Sequence, residues 1–440
     1  MIRAARTVLG TSVLTLLLVV GLTAPTALGS TAAQRGDTTP DTWAPPVGVA
    51  FNNPFDTKDP RNLQRTIIRA TRATPAGEYV HISTWNFNFR TVAAKLVDAH
   101  ERGVHVQVVV SGQLDSNSWD YLERNLNRDT EDESFAVQCR GGCRSRTKIM
   151  HSKFYLFSKV NDTPKVSLFG SMNLTITAGD YQWNDLVTSH DADLYDYFAR
   201  VFGEYARDRA VDNPYEQVNV NDRYRVTLYP VGDRNPQLTE LRKVRCHGTT
   251  GGTGNGAHRT VLRLSVAGWF DTYGQKIANR VRQLWDQGCD IKILTTLAGR
   301  GINQTLKDPR GRGPVPIKKL TVDRNNDGIP EKYTHMKAMS ISGVYDGDSS
   351  ASVVFTGSPN WSSRAARSEE IWVRVLDVPG MVSKYQRWIN RWYGSRVAHA
   401  KLMTRADLKA AVARKVAGEG LTAKGTQRAY DDLLSGFELD

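Results

Sequence analysis

The chain has 440 residues, 40% of them hydrophobic and 23% charged, which excludes a disordered polypeptide and leaves room for one large or two medium cores. Its formal net charge of +13 suits anionic partners such as phospholipid headgroups, nucleic acid or an anionic cell wall, but it would equally serve solubility. Charge alone does not choose among them.

From the N-terminus, Arg3 and Arg6 precede an apolar run from Val8 to Ala24, and small residues follow at Ala27, Gly29, Ala32 and Ala33. That is the pattern of a secretory signal, assigned to residues 1–29, so the expected location is secreted and extracellular. Residues 30–45 are polar and Pro-rich and read as a flexible leader.

The rest is one unit written twice. His81-Ile-Ser-Thr-Trp85 reads as a strand ending in Trp, and Leu264-Ser-Val-Ala-Gly-Trp269 repeats it with the two Trp 184 positions apart. A helix follows Trp85, with Val92, Ala93, Leu96, Val97 and His100 at helical spacing, then Gly103 and a β-rich run from Val104 to Val110. After Trp269 the same order recurs: Ile277, Val281 and Leu284, then Gly288, then Ile291 to Leu294. His151-Ser-Lys153 and His335-Met-Lys337 are also 184 apart, and Gly170-Ser-Met-Asn173 and Gly357-Ser-Pro-Asn360 are 187 apart. Each half closes with an aromatic helix, one carrying Tyr197, Val201 and Tyr205, the other Tyr385, Ile389 and Tyr393. Such constancy predicts a duplicated α/β fold, two mixed sheets flanked by helices and related by a pseudo-twofold axis. The halves are placed at 46–212 and 213–400. Residues 401–440 have no partner in the first half and read as a helical extension.

Four cysteines, an even count in an exported chain, predict two disulfides within halves, Cys139 with Cys143 and Cys246 with Cys289. Asp323-Arg-Asn325-Asn-Asp327-Gly328 matches the start of a calcium loop, but its twelfth position is Thr334 instead of Glu. An Asn/Asp-rich turn explains it as well.

The chemistry lies in the doubled motifs. Residues i and i+2 of an extended segment share a face, so each His points with its Lys at one place. The Gly-Ser turn and the Asn close on the same place. Two sets give two imidazoles, two ammonium groups and two carboxamides. That is a pocket for a phosphate diester, whose charge the cations offset while the histidines act as nucleophile and acid.

This doubled pattern closely resembles the motif of the phospholipase D superfamily, His-x-Lys with a following Asp and then Gly-Ser-x-Asn, over residues 47 to 397. The resemblance implies catalytic roles for His151, Lys153, Asn173, His335, Lys337 and Asn360, with Ser171 and Ser358 in support. It also implies a carboxylate about ten residues past each Asn to hold a histidine; Asp185 and Glu370 fit, with Glu369 as a rival. The family's Asp is replaced by Ser158 and Ser342. No catalytic metal or cofactor is implied, only the separate calcium loop. Relatives that make cardiolipin carry membrane-spanning segments, which this sequence lacks beyond its N-terminal run, so hydrolysis is preferred. The implied function is a secreted phospholipase D releasing phospholipid headgroups at a membrane surface. A secreted metal-independent nuclease is the alternative, and a non-catalytic binding protein the third class. A monomer is expected, because both motifs sit in one chain.

Overall fold

The computed structural model describes residues 42–112, 116–378 and 380–417. The signal assignment and most of the leader lie outside these residues, as does the extension beyond residue 417. Among the described residues no helix is long and apolar enough to cross a membrane.

Seven strands build the first sheet: Gly48–Phe51 (β1), Tyr79–Thr84 (β2), His105–Ser111 (β3), Phe135–Cys139 (β4), Phe154–Val160 (β5), Thr163–Gly170 (β6) and Asp185–Ser189 (β7). Seven more carry the second: Tyr224–Leu228 (β8), Val261–Trp269 (β9), Asp290–Ala298 (β10), Ile317–Val322 (β11), Lys337–Tyr345 (β12), Asp348–Gly357 (β13) and Ile371–Leu376 (β14). The first is ordered β1-β7-β6-β5-β2-β3-β4 and the second β8-β14-β13-β12-β9-β10-β11, with short strands added at the edges of the second. Every pairing direction repeats too. β2·β3·β4 and β9·β10·β11 are parallel, and the other neighbours are antiparallel. The chain is therefore a duplicated mixed α/β fold.

Parallel strands need crossover connections, and the predicted helices supply them at Arg90–Glu101 and Asp271–Asp286. Val92, Ala93, Leu96 and Val97 of the first, and Ile277, Val281 and Leu284 of the second, are buried against their own sheets. All nine residues of β9 are buried, as expected of a strand covered on both faces. The other face of each sheet looks onto a core shared by both halves. The closing helices Ala192–Ala206 and Met381–Tyr393 fill it with Phe198, Phe202 and Tyr205 from one and Tyr385, Trp388 and Trp392 from the other. Phe51 of β1 meets Tyr385 edge-on at 5.0 Å and stacks on Trp388 at 5.4 Å, so first-half sheet packs on second-half helix. Both predicted disulfides are present, Cys139–Cys143 and Cys246–Cys289.

Candidate active site

Each histidine precedes a strand of its own half but is docked on the other half. The amide of His151 donates to Glu369 O at 2.7 Å, and that of Glu369 donates to Ile149 O at 3.0 Å. In the second half the amide of His335 donates to Trp183 O at 2.9 Å, where Lys332–Thr334 runs parallel to Gln182–Trp183. The next residue on each docking strand then takes the imidazole. His151 Nδ1 lies 2.7 Å from Glu370 Oε2, and His335 Nδ1 lies 2.8 Å from Asn184 Oδ1. A carboxylate only accepts, so Nδ1 of His151 carries the hydrogen. Asn184 Nδ2 donates to Ala178 O at 3.0 Å, which turns Oδ1 towards His335 and makes Nδ1 of that ring the donor as well.

The Gly-Ser turns set this register. Ser171 Oγ accepts from the amide of Asp185 at 3.1 Å, and Ser358 Oγ accepts from that of Ile371 at 3.0 Å. Asp185 therefore corresponds to Ile371, and Asn184 to Glu370. Glycine is required at both turns: a Cβ on Gly170 would run into Asp185 O, and one on Gly357 into Ile371 O. Ser171 Oγ also donates to Asn184 Oδ1 at 2.9 Å, linking the first Gly-Ser turn to the second histidine.

Glu370 holds His151 as expected, but Asp185 holds no histidine. Successive residues of a strand face opposite sides, so with Asn184 turned to His335 the Asp185 side chain points away. It accepts from the amide of Ser171 at 3.2 Å and from the hydroxyls of Thr356 and Tyr385. Burial first, then the charge of Asp185, holds the Tyr385 hydroxyl well above its usual pKa, so it remains a donor. Asp185 thus ties the first Gly-Ser turn to the strand end that carries the second. Its rival Glu369 faces inwards too, accepting from the amides of Cys143 at 2.7 Å and Arg144 at 2.8 Å.

Lys153 and Lys337 are both buried. Lys153 Nζ donates to His151 O at 2.8 Å, and Lys337 Nζ lies 2.7 Å from His335 Nε2. The carboxamides are held in matching ways. Asn173 Oδ1 accepts from Thr84 Oγ1 at 3.4 Å, and Asn360 Oδ1 accepts from the amide of Gly268 at 3.0 Å. In each case the carboxamide oxygen is tied back to the protein. Two residues on, the hydroxyls of Thr175 and Ser362 cap short helices by accepting from Ala178 N and Ala365 N.

Sequence reasoning missed two members. Trp85, half-buried, stands edge-on to His151 at 5.3 Å and under the Lys153 ammonium at 5.6 Å. Its place at the end of a strand before the motif was visible, but its orientation was not. Asn184 adjoins the expected acid Asp185 and is a carboxamide where the resemblance implies a carboxylate. Trp119, Trp183 and Trp361, whose positions near the motifs suit ligand contact and core equally, are core. Ser158, at the family's Asp position, accepts from Tyr79 N at 2.7 Å and reaches Glu78 at 2.6 Å, so a neighbouring residue supplies the carboxylate. Ser342 accepts from Gly254 N at 3.0 Å.

The calcium-like loop is closed by its own backbone. Asp323 accepts from Gly328 N, Asn325 from Asp327 N and Asp327 from Ile329 N, while Lys415 lies 3.3 Å from Asp327. Among the described residues no cluster of three or more His, Cys, Asp or Glu is placed to hold a metal.

Residues 70–206 match the family model described as cardiolipin synthase, PLD-like domain. The sequence has no match among curated proteins. Among solved structures, the polyphosphate kinase of Porphyromonas gingivalis matches with 15% identity and a TM-score of 0.52 over 84% of this chain, which spans 55% of that one. The phosphatidylserine synthase of Haemophilus influenzae matches with 11% identity and a TM-score of 0.50, over 87% of this chain and 95% of that one. At these identities the likeness is one of fold. Nuc of Salmonella typhimurium, a phospholipase D family member, matches with 16% identity and a TM-score of 0.28 over 36% of this chain and 93% of its own. The first half thus carries a PLD-like domain over residues 70–206, and the second half repeats its strand order.

Proposed function

We propose that the chain is an exported phosphodiesterase that hydrolyses phospholipid headgroups to phosphatidic acid through a phosphohistidine. The observation that carries the chemistry is the crossed docking of the two histidines, each ring held through Nδ1 by the opposite half, which presents Nε2 to a substrate. In the first step Nε2 of His151 attacks phosphorus while His335 gives its proton to the departing alcohol oxygen. In the second, His335 takes a proton from water, whose oxygen attacks phosphorus and breaks the P–N bond. An alcohol in place of water gives a transfer product. Lys153, Lys337, Asn173 and Asn360 donate to the equatorial oxygens.

The roles follow from the unequal partners. A phosphorylated imidazole with a hydrogen on Nδ1 is cationic, and a carboxylate offsets that charge where a carboxamide does not. His151 is therefore the nucleophile. His335 is the acid: when the substrate phosphate draws the Lys337 ammonium away, its Nε2 takes up a proton from solvent, and that is the proton given to the departing alcohol. The same inequality supports a substrate with two dissimilar ends. Trp85 walls the His151 side, whereas its counterpart Trp269 is fully buried on Trp361. A diacylglycerol on one side and a headgroup on the other suit such a pocket, and the charge of +13 favours anionic bilayers.

The test is release of choline, ethanolamine or serine from vesicles, run beside plasmid nicking, with His151→Ala as control. Headgroup release that needs His151, with an acid-quenched phosphate adduct mapped to His151, is expected. Fast His151-dependent nicking without headgroup release would establish the nuclease instead.

A further inference from the structure

Near the His151–Glu370 pair lies a cavity of about 550 Å3 whose walls come from both halves. Arg146 and Lys148 stand on the loop before His151; Arg364 and Arg367 stand on the short helix Ser363–Ala366 and at its end. None of the described lining residues is acidic. Ile149 and Ser368 also line it, each two residues, about 7 Å of extended chain, from His151 or Glu370.

The loop is built to stay in place. The Cys139–Cys143 bridge closes its base, the amide of Gly142 donates to Thr147 O at 2.8 Å, and the Glu369 carboxylate takes two of its amides. The neighbouring Arg144 turns inwards to Glu204 at 2.7 Å and Glu216 at 2.6 Å, but Arg146, Lys148 and Arg367 are exposed. Cations held around one void with no acid in its walls repel one another. Folding gains nothing from that arrangement, whereas an anion in the void would.

We propose that this cavity binds a second phosphate of the substrate, beside the scissile diester, and that the preferred substrate is a phospholipid whose headgroup itself carries a phosphate. The proposal rests on the phospholipid reading above. Compactness favours a headgroup over a polynucleotide. Strand-binding surfaces are extended grooves with aromatic platforms for the bases, and no lining residue here is aromatic. The volume is that of a site for one small molecule.

The experiment compares vesicles of a two-phosphate lipid of the cardiolipin type with vesicles of phosphatidylcholine. The proteins are wild type, Arg146→Gln/Arg367→Gln, and the control Arg128→Gln/Arg310→Gln, which removes the same charge elsewhere. The wild-type kcat/KM should favour the two-phosphate lipid by about tenfold or more, and the ratio should fall towards one in the cavity variant but not in the control. A ratio unmoved in the cavity variant, or lowered equally in the control, overturns the proposal. Sedimentation of the His151→Ala protein with the same vesicles needs no turnover. Binding that prefers the two-phosphate lipid, and loses that preference when Arg146 and Arg367 are also replaced, supports the cavity; indifference to them overturns it. Hydrolysis of bis(p-nitrophenyl) phosphate separates the two failures. If it depends on His151 while the lipid ratio is flat, only the cavity assignment falls. If it is absent, the phosphodiesterase reading falls and sedimentation still decides the cavity. If the cavity variant loses oligonucleotide cleavage and not lipid cleavage, the headgroup assignment is overturned.

Discussion

The two halves share a strand order and every pairing direction, yet they hold their histidines with different chemistry. Glu370 faces His151 where Asn184 faces His335, and the buried Asp185 stands where the second half has the buried Ile371. The difference teaches which features the scaffold demands and which the reaction demands. Backbone docking of each histidine, the Gly-Ser turn and the tied carboxamide recur because the fold needs them twice. On the proposed mechanism the partner on Nδ1 diverges because one reaction needs only one nucleophile.

The largest effects should come from breaking each histidine in turn. His151→Ala removes the proposed nucleophile and should cost on the order of 10⁴-fold in kcat, whatever the leaving group. His335→Ala should cost about 10³-fold with an alkyl leaving group but only about tenfold with p-nitrophenolate, which departs without a proton. Steady-state rates on the two kinds of ester give the comparison. Equal losses for both variants on both esters would make the halves equivalent and refute the division of labour.

Exchanging the partners is the next step down. Glu370→Gln gives both rings a carboxamide, and kcat should fall about 100-fold as the charged intermediate loses its counter-ion. Asn184→Asp gives both rings a carboxylate. His335 should then keep its proton to higher pH, moving the alkaline limb of the kcat/KM profile up by about one unit. A limb that stays in place would show that His335 is not the group titrating there.

The fold was legible because a repeat is self-checking: two copies of strand, helix, strand and motif can be aligned without any relative. Both disulfides could be read for the same reason, since each joins cysteines of one half. The candidate site was legible as far as the residue types that recur, namely the His, Lys, Ser and Asn of each motif. The supporting residues were only partly so. On a strand, neighbouring residues face opposite sides, and choosing Asp185 over Asn184 by residue type placed the wrong side towards His335. Glu370 was preferred over Glu369 on the same kind of evidence, and there the choice agrees with the geometry. Three tryptophans near the motifs are core and Trp85 is not, because sequence gives a residue's position along a strand and not the depth of the pocket at its end.

The two disulfides offer a smaller effect. Cys246–Cys289 has a sequence separation of 43 and Cys139–Cys143 one of 4. Loop entropy assigns about 4 kcal/mol to the first and about 2 kcal/mol to the second. Replacing each pair by Ser should therefore lower Tm more in the second half than in the first. The order should reverse for activity, because the short bridge closes the loop that Glu369 anchors beside His151. Thermal melts and rates on the same two variants test both orders.

The smallest effect is acid sensitivity confined to one half. His81 on β2 is half-buried, stacks on Phe202 at 4.6 Å, and has Nδ1 enclosed; 184 positions on, the second half has Ser265. Burial lowers the His81 pKa to about 4. The folded chain therefore keeps this ring neutral while the unfolded chain protonates it near pH 6.5. Below that pH the unfolded state binds a proton that the folded state does not, so stability is lost as pH falls from about 6.5 to about 4, then levels off for this group. Second-half Ser265 makes no such contribution. His81→Gln keeps a polar planar group but cannot titrate, and it should flatten the fall of Tm across that window without changing Tm much at pH 8. If wild type and variant lose Tm in parallel from pH 7 to pH 4.5, the acid-sensitive group lies elsewhere and the two halves do not differ in this respect.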